Sequence, residues 1–235
     1  TYVFAGDGCL MEGISHEAIS MAGHLKLGRL IVLFDDNDIS IDGSTDLSVS
    51  DDQLARFAAS NWDVTRIDGH DPEAIDKAIT NAKASDKPSL IACRTVIGYG
   101  APTKQGTSAT HGAPLGDDEI AGTRAALGWS HAPFEIPDDV LNAWRSAGSR
   151  GAAAREAWEG RLANAGSCDA FNAANSGALP ANFEDVLNSY KKQLSNDAPK
   201  WATRVSSQKA LDEFAAVVET MIGGSADLTG SNNTK

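Results

Sequence analysis

Short apolar runs separated by helical patterns constrain this chain most. TYVFA at 1–5, RLIVLF at 29–34 and KPSLIACRTVI at 87–97 each suit a buried strand. Between the first two lies EGISHEAISMAGHLKLG, where Ile14, Ala18, Met21, Ala22 and Leu25 recur at helical spacing and Gly28 offers a stop. DDQLARFAASN reads as a helix, WDVTRIDGHD as a strand and turn, and PEAIDKAITNAKAS as a helix with Pro72 at its start. Strands and helices alternating at this rhythm imply βαβ units, hence an α/β fold with a parallel sheet flanked by helices. In such sheets ligands bind outside the carboxyl ends of the strands.

Two polar clusters fall at those ends. GDG, residues 6–8, closes the first strand as a glycine turn, and DDND, residues 35–38, closes the second. A carboxylate between Gly6 and Gly8 is suited to ligate a cation while the backbone comes close to a phosphate. Mg²⁺ and Ca²⁺ take oxygen ligands: carboxylate, amide oxygen, backbone carbonyl and phosphate. Asp7 is the first candidate, Asn37 offers an amide oxygen, and the carbonyls of Asp38 and Ile39 are expected to be free past the strand end. Each motif alone also reads as an ordinary turn or a solvated strand exit. Their pairing on successive strands favours the metal-and-phosphate reading.

The 235 residues suffice for one large domain or slightly more, and 42% of them are hydrophobic. A net charge of −12 argues against nucleic-acid binding, which needs a basic footprint. Cys9, Cys93 and Cys168 are isolated, which fits a reducing, cytoplasmic setting better than a disulfide framework. No run suits a membrane span or a signal peptide. The chain opens on strand residues without an initiator methionine and closes on SNNTK, which reads as an internal piece of a longer protein.

After Gly98 the texture changes. GYGAPTKQGTSATHGAPLG holds five glycines and two prolines in 19 residues, so it is a long functional loop or else disorder. His111 stands in it, and imidazole suits proton shuttling near pH 7. The other histidines, His16, His24, His70 and His131, read as helix, packing or turn residues. DDEIAGTRAALGW, PDDVLNAWRSAGSRGAAAREAWEGRLANAG, NFEDVLNSYKKQL and SSQKALDEFAAVVETMIG are helical patterns, the last with serine at its start; GGSADLTGSN is a turn. The expected organisation is a first domain over 1–170, a linker over 171–201 and the start of a second α/β domain over 202–235.

GDG followed after 28 residues by Asn37 resembles the diphosphate-binding motif of thiamine-diphosphate enzymes. The fuller set GDGCLMEGISHEA, LIVLFDDNDISIDG, IDGHD, KPSLI, TVIGYG, SATHGAPLG and GGSADLTGSN resembles the transketolase family. The resemblance implies transfer of a two-carbon ketol unit from a ketose phosphate to an aldose phosphate, in the pentose phosphate pathway, using thiamine diphosphate and Mg²⁺ or Ca²⁺. It implies that Asp7, Asn37 and the Ile39 carbonyl hold the metal, with Gly6 and Gly8 against the diphosphate. Ile41 and Ile97 would pack on the thiazolium ring, and Asp227 would lie near the partner's cofactor. Glu12, with Glu17 in the same network, would link the two sites of a homodimer. His111 would reach both diphosphate and reacting substrate, while Arg204 and Ser231 would grip the sugar phosphate.

The family also needs histidines upstream of Thr1 and a glutamate beyond Lys235, so these 235 residues alone are expected to be inactive. Alternatives are a deoxyxylulose-phosphate synthase, a 2-oxo-acid dehydrogenase subunit or a non-catalytic dimerisation partner. A Mg²⁺-dependent phosphohydrolase with Asp7 as nucleophile ranks last, because Cys9 stands where a second acid would be needed.

Overall fold

Period-two alternation of apolar side chains sets the layers. In β2 (Ile31–Asp36), Val32 and Phe34 join one core, and Ile31 and Leu33 join the other. The same split separates Leu90 and Ala92 from Ile91 and Cys93 in β6 (Ser89–Arg94). Strands buried on both faces belong in the middle of a parallel sheet. The structure is a computed structural model that describes residues 1–234. Its contacts divide the chain into two units, Thr1–Ile136 and Pro137–Lys235.

The first unit carries a four-stranded sheet in the order β1-β2-β6-β5, every pairing parallel. Here β1 is Tyr2–Gly6 and β5 is Asp63–Asp68. One face is covered by α1 (Asp7–Met11), α2 (Gly13–His24) and α3 (Gln53–Ala59), which contribute Leu10, Ile19, Ala22 and Phe57 to the core. The other face is covered by α4 (Pro72–Ala84), through Ala78 and Ala82. Pro72 opens α4, and the Asp71 carboxylate accepts from the Glu73 and Ala74 amides, so this start follows from local sequence. On the α3 side the Trp62 indole donates to the Ile19 carbonyl at 2.9 Å and meets Phe57 edge-on, 4.9 Å between ring centres.

Two expectations are corrected here. GDG is not a turn: β1 runs to Gly6, and α1 begins at Asp7 without a connecting residue. Of the expected helical stripe only Ala22 faces the core; Ala18 is exposed with the rest. Glu12 is extended (φ −64°, ψ 139°) and splits the pattern into α1 and α2. The buried residues of α2 are Ile19, Ala22 and Gly23, whereas Ile14, Met21 and Leu25 are 71%, 60% and 56% exposed. Both stripes have helical spacing; the sheet selects the one that also carries Gly23, which permits close approach.

Sequence reading missed a small hairpin, β3 (Ile39–Ser40) with β4 (Gly43–Ser44), and the 3-10 turn Thr45–Leu47 after it. α5 (Asp117–Ala126) follows the glycine-rich loop.

The second unit is helical: α6 (Asp138–Ser149), α7 (Ala152–Ala163), α8 (Cys168–Ser176), α9 (Phe183–Asp197), α10 (Thr203–Phe214) and the short α11 (Thr229–Asn232). Its described residues include no strand. α10 starts at Thr203, not at a serine, and is shorter than its pattern suggested. It stops after Phe214, which packs on Phe183 and Tyr190 of α9, and β-branched Val217 and Val218 follow.

Gly23 yields the test of the α2–α3 face. A Cβ there would lie 1.7 Å from the Ser60 carbonyl oxygen and 3.3 Å from Trp62. Alanine would gain about 1 kcal/mol in helix propensity. Overpacking against backbone costs about 1–3 kcal/mol, and more when neither side yields. The predicted net effect of Gly23→Ala is destabilisation, read as a lower denaturant midpoint; an unchanged or higher midpoint would refute this packing.

Candidate functional site

Parallel register sets the edge on which chemistry collects. Gly6 pairs with Asp35 and Asp36 with Arg94; Asp68 flanks Arg94 from β5. Asp7 and Asn37 therefore leave neighbouring hydrogen-bonded strands at the same edge. Asp7 is half-buried, and its Oδ2 is buried with no hydrogen-bond partner among the described residues. Burial, followed by the negative charges of Asp36, Asp38 and Asp35, pushes the Asp7 carboxyl up to about 6. Asn37 is held at both ends of its amide: Oδ1 accepts the Ile39 N–H at 2.9 Å and Nδ2 donates to Asp35 at 3.2 Å. Asp38 is left-handed (φ 62°), and its carbonyl accepts the Thr45 N–H at 2.9 Å. The expectation of a free Asp38 carbonyl is thus corrected: the missed hairpin returns Thr45 to that oxygen. Ile39 begins this hairpin, and Ile41 sits exposed at its tip.

These residues fit a hard divalent cation. A carboxylate oxygen withheld from water and unpartnered is a strained arrangement that a cation relieves. Among the described residues no three His, Cys, Asp or Glu side chains converge as a metal cluster. Gly6 (φ −97°) has a conformation open to any residue, and a Cβ added at Gly6 or Gly8 would meet no atom within 4 Å. Neither backbone strain nor packing within the chain explains Gly6; the open space beside it suits a bound group. Two cavities flank the edge. One, of about 560 Å³, is mainly apolar, with Phe4, Leu33, Ile75 and Ile79 beside Gly6 and Asp35. The other, of about 320 Å³, is acidic, with Asp7, Asp36, Asp38, Asp46 and Asp52 beside Arg66.

The sequence reading overlooked the basic side of this edge. Arg94 donates to the Asp38 carboxylate and, through Nη1, to the Asp36 backbone carbonyl at 3.3 Å. Arg66 Nη2 lies 3.1 Å from the carboxylate of Asp36, a buried residue. The Arg94 hydrogen bond, opposed by some burial, holds the Asp38 carboxyl below its usual range. Thr95 donates to Asp35. The sequence shows an arginine directly after the apolar run SLIAC but nothing local that names its partners.

The glycine-rich segment is an ordered loop that folds back on the exit of β6. Gly106 donates to the Ile97 carbonyl at 2.8 Å, and a Cβ on Gly98 would touch Thr110 at 2.7 Å. His111, exposed, closes the turn Ser108–Thr110, and Thr110 just before it lies against Gly98, next to half-buried Ile97. Lys104 Nζ donates to the Leu115 carbonyl at 2.7 Å, and Glu119 accepts from the Thr103 amide at 3.2 Å and from its hydroxyl. His70 has the structural part expected of it: its Nε2 accepts the Val96 N–H at 2.9 Å, and its ring stacks on Tyr99.

The remaining expected site residues fall in both units. Glu12 and Glu17 are exposed, Glu12 on the break between α1 and α2. Arg56 stands against the His16 ring and donates to the Leu10 carbonyl at 2.8 Å, which makes His16 a packing partner. Arg204, in α10, Asp227, just before α11, and Ser231, in α11, are exposed residues of the second unit. The cysteines are free thiols. Among the described residues no helix is long and apolar enough to cross a membrane.

Residues 1–181 match the family described as "Transketolase, thiamine diphosphate binding domain". The whole chain is 57% identical to a transketolase of Cereibacter sphaeroides and 47% identical to transketolase 2 of Escherichia coli K12, covering 36% of each. Its structure resembles that of a transketolase from Leishmania mexicana with a TM-score of 0.86 at 39% identity, covering all of this chain and 35% of that one. A Pichia stipitis transketolase mutant in complex with fructose 6-phosphate gives 0.84 at 37% identity, with the same coverage. The chain thus spans about a third of the length of the relatives it matches.

Asp7 generates a pH prediction. Its folded value, about 6, lies above the 3.8 of an unperturbed aspartate. The protonated form is favoured by folding, so its contribution is complete below pH 3.8 and is lost as pH rises through about 6. A shift of roughly 2 units corresponds to at most about 3 kcal/mol, and solvent screening of this half-exposed group reduces it to about 1 kcal/mol. Without divalent metal, Asp7→Asn is expected to gain stability relative to the parent as pH rises from 5 to 7.5. Denaturant midpoints across that range check this, and a constant difference would contradict it.

Proposed function

The chain belongs to the transketolase family, in its thiamine diphosphate binding domain, and from that premise we propose that it forms the diphosphate end of a ketol-transferring active site. What supports the reading most is the arrangement of Asp7 and Asn37 at the ends of two paired parallel strands, in a chain that transketolases match along its whole length. In this proposal Asp7, Asn37 and the Ile39 carbonyl hold Mg²⁺ or Ca²⁺, and the cation holds the cofactor's diphosphate beside Gly6 and Gly8. Ile41 and Ile97 border the thiazolium ring. Bound thiamine diphosphate supplies a carbanion able to cleave and form the carbon–carbon bond next to a ketone.

The chain's own residues do the rest. The unpartnered Asp7 oxygen gives the cation a charged ligand, and neutral Asn37 leaves most of the cation's charge for the diphosphate. His111 moves a proton at the substrate hydroxyl, where imidazole is effective near neutral pH. Arg204 and Ser231 bind the phosphate of the sugar, the arginine by charge-assisted hydrogen bonds. Asp227 serves the cofactor site of the partner protomer. Glu12, with Glu17, links two such sites in a homodimer, and Ile14, Met21 and Leu25 beside it supply apolar surface for that contact. Sugar phosphates of the pentose phosphate pathway are the proposed substrates. The free thiols suit a cytoplasmic setting. The net charge of −12 disfavours nucleic acid as a partner, and no membrane partner is proposed.

The test uses the intact protein with thiamine diphosphate, Mg²⁺, a ketose phosphate donor and an aldose phosphate acceptor. Ketol transfer is expected, with no turnover of pyruvate and loss of activity after chelation. His111→Ala should lower kcat/KM by about 10²–10⁴-fold. Turnover of pyruvate instead of the sugar phosphates would point to a synthase or 2-oxo-acid dehydrogenase. Absence of both would point to a non-catalytic partner.

A further inference from the structure

Arg94 grips the chain where the proposed metal ligands arise. Asp38, between Asn37 and Ile39, has φ 62°, a left-handed conformation that favours glycine over a residue with a side chain. Its flanks are tied: Asn37 Oδ1 accepts from Ile39, and the Asp38 carbonyl accepts from Thr45. The aspartate side chain itself is held from the neighbouring strand, where Arg94 Nη2 donates to its carboxylate. The other arm of the same guanidinium donates to the Asp36 backbone carbonyl at 3.3 Å and lies 3.5 Å from the Asp36 carboxylate. One planar fork therefore spans the chain immediately before and after Asn37. A lysine, a single point charge, has no comparable two-armed geometry.

We propose that Arg94 is a positioning residue for the metal site: it locks the Asn37–Asp38–Ile39 turn through Asp38 and withholds the Asp38 carboxylate from the cation. The inference rests on the reading of Asp7, Asn37 and Ile39 as metal ligands. It assigns Arg94 no contact with metal, cofactor or substrate. Its alternative is an ordinary exposed ion pair, which contributes little and would leave metal affinity unchanged.

The experiment measures Mn²⁺ affinity of the intact protein in the presence of thiamine diphosphate, by electron paramagnetic resonance titration without substrate. Arg94→Met keeps the aliphatic stem and removes the fork. It is expected to weaken Mn²⁺ binding by about 10–100-fold, as loss of a residue that orients metal ligands does. Arg94→Lys should recover part of that loss. Asp38→Gly tolerates the left-handed turn without a clamp and removes the competing carboxylate. On that background Arg94→Met should change affinity by less than about threefold. Unchanged affinity in Arg94→Met, or an equal loss on the Asp38→Gly background, overturns the proposal. If Arg94→Met alone does not fold, the Asp38→Gly pair decides: equal affinities support the inference and a tenfold further loss refutes it. Parent protein that binds no Mn²⁺ with the cofactor present would refute the metal-site reading itself, an outcome distinct from these.

Discussion

Everything at this edge depends on the in-register parallel pairing of β1, β2 and β6. Antiparallel pairing, or an odd-residue slip of one strand, would disrupt this alignment. The register Gly6–Asp35 and Asp36–Arg94 brings Asp7, the Asp35–Asp38 segment and Arg94 to one side of the sheet. That register is enforced well away from the site. Phe34, Leu90 and Ile91 are almost fully buried, each stabilising by about 1.5–3 kcal/mol. A slip would turn these side chains to the opposite face. Core packing is therefore what aims the polar ends.

The same geometry creates an electrostatic problem. Four aspartates, at 7, 35, 36 and 38, crowd this edge; burial first, and then the charges of the other three, raise the Asp7 carboxyl. Only Asp36 among them is fully buried, and removing its cation partners would be expensive, because a buried charge left unpaired loses its hydration without compensation. Arg66 and Arg94 both approach it. Asp7 has no comparable partner among the described residues. The edge is thus neutralised on the Asp36–Asp38 side and left acidic at Asp7, the polarity that a diphosphate-bound cation would require.

Much of this was legible in the sequence, for reasons tied to particular residues. Strands β2, β5 and β6 and helices α3 and α4 followed from apolar runs and from local starts such as Asp71–Pro72. The position of Asp7 and Asn37 just past two strand ends was legible because the strands were. The Arg94 fork was not: its partners Asp36 and Asp38 lie 58 and 56 residues away in sequence, and no local pattern reports a cross-strand pairing. The hairpin at Ile39–Ser44 was hidden for another reason. Its strands are two residues each, too short for any period to register. The α2 stripe failed because periodicity identifies apolar faces without saying which one a sheet will cover.

The glycine-rich loop shows how composition acquires meaning once backbone angles are known. Its sequence allowed either disorder or a functional loop. All five of its glycines, at 98, 100, 106, 112 and 116, have positive φ, with values from 64° to 91°. A disordered segment would use glycine for its freedom; this one uses the residue for a conformation that other side chains rarely adopt. At Gly98 the requirement is doubled, because a Cβ would also strike Thr110. The contact that excludes a side chain there is the one that folds the His111 arm onto the exit of β6. A histidine on an otherwise mobile tether would reach the sheet edge only part of the time. Gly98 against Thr110, Gly106 on Ile97, and the Lys104 and Glu119 ties instead hold the residues that flank His111 to the segment leaving β6, the strand next to the one that carries Asn37.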